Sequence, residues 1–343
     1  MKSILVAVTI LHSFALALSV NAQAPGSIQQ SESLQRRRDA ERIARDKKSD
    51  ESESVPSLSP DEAVDVGPQY ILSSRPKRRW LEVNFDLQYS YTDNMFFSEP
   101  SAGSTVGSTL MTTSAQIALT SPEWNVAQGK LKARGGYQYI WMNYALSGAR
   151  IDPTTGFRKS DNDFDAPTAS ADLTQTWKHW QAQIGVDWVR LLSHQPAYNS
   201  YTEFYRDYDL RWSVSRVFEL GQKHSLVAGY LGSQHMTEVD PTPGLNDSGR
   251  NDRTDHTFLV GYTFQVTPRL AVQPSYRFQL VRYSHGDRLD HLHTVTGSAS
   301  FALTRWLFVR THGAYELRDS SDVLVPDYRK WDVGLSLSAM FRF

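Results

Sequence analysis

The chain has no cysteine among its 343 residues, which excludes disulfides, a thiolate nucleophile and a lipid-modified cysteine behind a leader segment. It has no excess of either charge. Its 36 Lys and Arg against 37 Asp and Glu leave a net charge of −1, so no general attraction to nucleic acid is expected. Long apolar runs are missing too. Beyond its start, no stretch offers the ~20 apolar residues that a membrane-spanning helix needs. Nucleophile elbows of the Gly-x-Ser-x-Gly type, glycine-rich phosphate loops and dinucleotide fingerprints are also lacking. Aromatic residues, by contrast, make up 12% of the chain. Abundant aromatics without long apolar runs suit a wall in which every second residue is apolar better than they suit a soluble core.

The opening residues read as a signal peptide over 1–22. Lys2 gives the positive start, Ile4 to Val20 the apolar stretch, and Val20-Asn21-Ala22 or Ala22-Gln23-Ala24 the small residues for cleavage. An uncleaved anchor is the competing reading, but His12 interrupts the run. Export without cysteine points to the envelope of a Gram-negative cell. Residues 23–78 turn to Ser, Glu, Arg, Lys and Pro, with the charged run Arg36 to Arg42 inside them. This composition predicts a disordered periplasmic tail. Leu34 to Lys48 could form a short helix, but it has no apolar stripe with which to dock.

From residue 79 the period becomes two. Leu81, Val83, Phe85, Leu87, Tyr89 and Tyr91 alternate with Glu82, Asn84, Asp86, Gln88 and Ser90, so one face of an extended strand is apolar and the other polar. Similar strands recur through Tyr137, Tyr139 and Trp141, through Phe258, Val260, Tyr262 and Phe264, and up to Trp331, Val333, Leu335, Leu337, Phe341 and Phe343. In Trp180, Ala182, Ile184, Val186 and Trp188, tryptophans close both ends of an aliphatic stripe, as two interfacial aromatic girdles would require.

Connection lengths give an independent test. Short links at Lys178-His179, around Gly221-Gln222-Lys223, at Thr267-Pro268-Arg269 and at Thr304-Arg305 alternate with long ones at Thr92 to Gly107, Ser147 to Phe164, Ser193 to Tyr201, Gln234 to Arg253, Ser284 to Asp290 and Asp319 to Arg329. The prediction is an all-β fold: a transmembrane antiparallel up-and-down β-barrel of about 12 strands over 79–343, with both ends periplasmic and the longer loops outside. Three features fit less smoothly. Ser121 to Gln128 is long for a periplasmic turn, Pro274 predicts a bulge or a shifted register, and Gly135-Gly136 predicts a bend or a side-chain gap.

The terminal stretch Leu335 to Phe343, apolar at alternate positions and ending in Phe, resembles the carboxy-terminal signal by which the barrel assembly machinery recognises outer-membrane proteins. Trp331, Val333, Leu335, Leu337, Phe341 and Phe343 are the residues that would carry it. The run Tyr89-Ser90-Tyr91-Thr92-Asp93-Asn94-Met95-Phe96-Phe97 resembles the first hairpin of outer-membrane β-barrel porin families, with Met95 in place of the usual aliphatic residue. This resemblance implies a place in the outer membrane, with membrane lipid and the assembly machinery as partners. It does not fix a substrate.

If the apolar faces meet lipid, Glu82, Asp86, Lys132, Arg134, Asp172, Asp187, Asp207, Asp209, Arg211, Asp255, Arg277, Arg310, His312, Glu316 and Asp332 face the lumen. Acids modestly outnumber bases there. Such a lining would either focus a weakly cation-favouring field or pair off across strands. His285, Asp287, Asp290, His291 and His293 have the residue types for a metal, but they sit at an expected external loop, and no metal or cofactor is expected. Three functions follow as expectations. The first is a non-enzymatic, porin-like channel for small polar solutes. The second is an export or assembly component, such as a polysaccharide exit pore, whose tail binds a periplasmic partner. The third is an outer-membrane hydrolase using His312.

Overall fold

The computed structural model describes residues 80–99, 105–145, 151, 158–195, 200–239, 251–323 and 325–343. The expected signal peptide over 1–22, the tail over 23–78 and the short helix within it lie outside the described residues.

β1 (Leu81–Thr92) turns Phe85, Leu87, Tyr89 and Tyr91 outward, all exposed, and buries Ser90 and Thr92 on its other face. This inverts the arrangement of a soluble sheet. The chain continues through β2 (Ser108–Thr120), the short β3 (Trp124–Val126), β4 (Gly129–Tyr144) and the two-residue β5 (Phe164–Asp165). Then come β6 (Thr168–Trp177), β7 (Trp180–Gln195), β8 (Ser200–Gly221) and β9 (His224–Val239). β10 (Arg253–Thr267), β11 (Leu270–Tyr283), β12 (Leu289–Ala302), β13 (Leu307–Ser320) and β14 (Tyr328–Arg342) complete it.

Twelve of these strands are long, and each pairs antiparallel with its neighbours. β1 meets β14 from Glu82 opposite Arg342 to Thr92 opposite Asp332, so the sheet closes on itself and no long strand is left as an edge. The antiparallel up-and-down barrel of about twelve strands expected from the sequence is the fold found. Ile184, Val186, Phe258, Val260, Val295, Leu335 and Leu337 are exposed on its outside, whereas Asp172, Arg211, Asp255, Arg277, Glu316 and Asp332 are buried within. Water solvates such a continuous apolar belt poorly, and hydrocarbon solvates it well. Aromatic residues mark both margins of the belt. Trp306 stacks on Phe341 at 5.5 Å at one margin, and Tyr315 packs on Trp331 at 4.4 Å at the other.

The four short links fall at one end of the barrel, beside Leu81 and Phe343, and the long loops fall at the other. Four local expectations change. The link over Ser121 to Gln128 contains β3, which pairs Trp124 with Leu131 around a turn where Ala127 has φ 52°, so it is a hairpin extension of the wall. The link expected over Ser193 to Tyr201 shrinks to residues 196–199, because β7 and β8 stay paired up to Gln195 opposite Ser200. A register shift between Leu191 and Leu192 breaks the alternation there and hides the continuation from a period-two reading. Pro274 causes no register change. Gly261 opposite Ser275 and Phe264 opposite Val272 keep one register, and only the pairs between them are lost, because proline's missing donor falls on the β10 side. Finally, β4 runs through Gly135-Gly136 without a break. An added Cβ on Gly136 would stand 3.2 Å from the Ile117 carbonyl oxygen and 3.3 Å from Ala118 Cβ, so this glycine permits close strand packing.

Candidate functional site in the barrel interior

Of the residues expected to face inward, Asp172, Asp207, Arg211, Asp255, Arg277, Glu316 and Asp332 are buried within the barrel, and most of the set make side-chain contacts. Glu82 is 2.9 Å from Arg134 Nη2, reaching across β2, and 3.1 Å from Arg342 Nε. Asp86 accepts a hydrogen bond from Ser338. Arg211 on β8 bridges Asp187 at 3.0 Å and Asp172 at 3.7 Å. Arg277 lies 3.6 Å from Glu316 and donates to Thr294 at 3.0 Å. Glu316 also accepts from the Tyr328 hydroxyl at 2.6 Å. Lys330 lies 3.4 Å from Asp332, and Arg310 donates to Ser300 at 3.1 Å. Lys132 stands opposite Thr174 on β6. His312 Nε2 meets Gln88 Nε2 at 3.4 Å, and its ring lies over Gly334.

Asp207, Asp209 and Asp255 gather around His235, which the sequence reading passed over. Its Nδ1 is 2.8 Å from Asp207 Oδ2, and its Nε2 is 3.5 Å from Asp255 Oδ2 and 3.9 Å from Asp209 Oδ1. Of the two readings open for the inner charges, the geometry displays cross-strand pairing. Buried carboxylates and guanidiniums at these distances compensate one another's desolvation. Much of the interior is therefore a mosaic of short-range pairs.

The start of the loop after β1, residues 93–99, packs inward against the last strand. Asp93 N donates to the Trp331 carbonyl at 3.2 Å, and Trp331 N donates back to Asp93 Oδ1 at 2.7 Å, carrying the β1–β14 seam beyond the strands. Asn94, fully buried, donates to the carbonyls of Ser98 at 2.7 Å and Arg329 at 3.1 Å, and accepts from Ser98 N at 3.0 Å. Past this clip Phe97 takes φ 54° and its ring is 1% exposed. It meets Tyr328 edge-on at 5.1 Å, and Lys330 Nζ lies 4.2 Å from its centroid. The run that resembles a porin first hairpin thus builds a latch between the first loop and the last strand.

Beside the latch the inner wall is apolar. Met95 and Val106 of this loop pack with Leu110 of β2, Ile140, Met142 and Tyr144 of β4, Phe164 of β5, and Val189 and Leu191 of β7. The base of the next loop ties in through Lys159 Nζ, which donates to the Gly107 carbonyl at 2.6 Å, and through Asp163 Oδ1, which accepts from Tyr144 N at 2.6 Å. The signal for this cluster was present in the sequence, since Ile140, Met142 and Tyr144 are apolar on the face of β4 that carries Lys132 and Arg134.

The residues considered for a metal divide between the two faces of the wall. Asp290 is buried inside, bonded to Arg288 at 2.9 Å and Ser320 at 2.6 Å. His291 and His293 do share a face, but it is the outer one. There they lie 6.2 and 5.0 Å from Phe278, and Tyr276 bonds His293 Nδ1 at 2.8 Å. No group of three or more His, Cys, Asp or Glu side chains is arranged so that it could hold a metal ion among the described residues.

Neither a protein family nor a curated protein matches the chain in sequence. Among solved structures, it is similar to the COG4313 outer-membrane channel of Pseudomonas putida F1, with TM-score 0.48 and 12% identity over 77% of this chain and 96% of that one. The β domain of the Bordetella autotransporter BrkA gives TM-score 0.43 and 13% identity over 77% and 99%. A bacterial polysaccharide outer-membrane secretin gives TM-score 0.44 and 9% identity over 77% and 99%.

Proposed function

We propose that the chain is an outer-membrane channel through which small polar solutes diffuse passively, its external mouth narrowed by the latched first loop. The observation that carries this reading is the inverted wall: Leu335 and Leu337 face out while Asp332 and Ser336 face in on the same strand. Polar groups along the lumen can replace part of a solute's hydration as it passes. In this reading the end bearing Leu81 and Phe343 faces the periplasm, delivery depends on the signal segment, and the assembly machinery reads β14.

Planar-bilayer recordings of the purified full chain test the proposal. Discrete conductance steps are expected from the wild type. Phe97→Ala frees Lys330 and the loop from each other, so its single-channel conductance is expected to be severalfold higher, with unchanged heat-modifiable migration on gels. Equal conductance in the two proteins would remove the loop as the restriction. Folded protein that never conducts in either form would refute the channel.

A further inference from the structure

We propose that His235 is the residue that sets the ion selectivity of the channel, through its hold on three inner-wall aspartates. This rests on the channel reading above. His235 is 5% exposed near the loop end of β9, opposite Asp209 on β8 and Arg253 on β10. From β8 it faces Asp207 Oδ2 at 2.8 Å and Asp209 Oδ1 at 3.9 Å. From β10 it faces Asp255 Oδ2 at 3.5 Å, and Arg253, the opposing cation, lies 3.4 Å from Asp255 Oδ1. From β11, Gln279 contributes a neutral amide to Asp255 at 2.7 Å. On β9 itself, Ser233 Oγ stands 3.0 Å from Nε2. Beyond the strand end, Asp252 is engaged by Thr237 N at 2.6 Å.

Carboxylates therefore flank both ring nitrogens. At Nδ1 the ring is hydrogen-bonded to Asp207, whereas at Nε2 its hydrogen-bond partner is the Ser233 hydroxyl and the nearest carboxylate, Asp255, stands 3.5 Å away, so a proton added to the ring is favoured there by charge. With the proton in place, His235 and Arg253 set two positive charges against three negative ones. Loss of that proton leaves one positive charge against three in a wall bounded by low-dielectric lipid. Cations are then favoured and anions repelled. A unit charge roughly 10 Å from the ion path, at about the dielectric of water, raises local cation concentration and lowers local anion concentration about twofold each, so their ratio changes about fourfold.

The test is the reversal potential in a KCl gradient, recorded over a series of pH values from acid to alkaline. For the wild type, the potassium-to-chloride permeability ratio is expected to rise about fourfold across that series. His235→Gln keeps a donor of similar size but carries no proton to lose, so its ratio should stay flat. His312→Gln, which removes another inward histidine, should keep the wild-type slope. Asp207→Asn provides a second variant should His235→Gln fail to fold, and its transition should move to lower pH. A wild-type slope in His235→Gln, or a wild type without any slope, overturns the inference while leaving the channel intact. Folded protein that never conducts overturns the channel reading and this inference with it.

Discussion

Leu335→Arg is expected to destabilise the folded protein in lipid bilayers by about 2–4 kcal/mol, the cost of an arginine on the lipid face at mid-depth of a barrel strand. Leu335 occupies the middle of β14, opposite Tyr89 on β1 and Thr311 on β13, with its side chain outside. The cost should depend on depth. Met236, exposed near the loop end of β9, should accept arginine for about 0–1 kcal/mol, because its side chain can reach the headgroups. Reversible urea titrations in vesicles measure both. Equal small costs at the two positions would mean that the belt is not embedded.

Arg211→Ala should be the most damaging single change inside the barrel. It leaves Asp172 and Asp187, now 3.7 and 3.0 Å from the guanidinium, without that compensation. Removing one member of a buried ionic cluster typically costs about 3–5 kcal/mol, mostly because the remaining charge stays desolvated. The sign of the repair is informative. Adding Asp172→Asn and Asp187→Asn to Arg211→Ala should recover a large part of the loss, since neutral amides need no counter-ion. The same urea titration reads the effect. A loss below about 0.5 kcal/mol, the range of ordinary surface substitutions, would mean that water already solvates these aspartates.

Much of this fold was legible in the sequence, because a period of two has a direct physical cause. In β14, Trp331, Val333, Leu335 and Leu337 alternate outward, and every second side chain has to meet one solvent or the other. Parity also assigned Asp172, Arg211, Asp255 and Glu316 to the inner face. What parity omits is the partner. Arg134 reaches Glu82 across β2, and Arg277 reaches Glu316 across β12, contacts set by register and tilt between strands that no single strand encodes. His235 has no such signal because β9 is only weakly apolar, so its alternation fades before Gln234 although the strand runs to Val239. The latch was hidden for another reason. A loop has no period, so Asp93 and Asn94 signalled only a turn, while their bonds to the backbone of Trp331 and Arg329 depend on barrel closure.

The absence of native cysteine allows a direct test of the inverted wall. Spin labels on single cysteines introduced at Leu335 and at its neighbour Ser336, in the full chain folded into vesicles, report contact with oxygen in the hydrocarbon and with a polar nickel reagent in water. The expected result is alternation: the label at 335 relaxed by oxygen at mid-bilayer depth, and the label at 336 shielded from oxygen. Loss of alternation, or access of the nickel reagent to the label at 335, would contradict a wall that is apolar toward lipid and polar within.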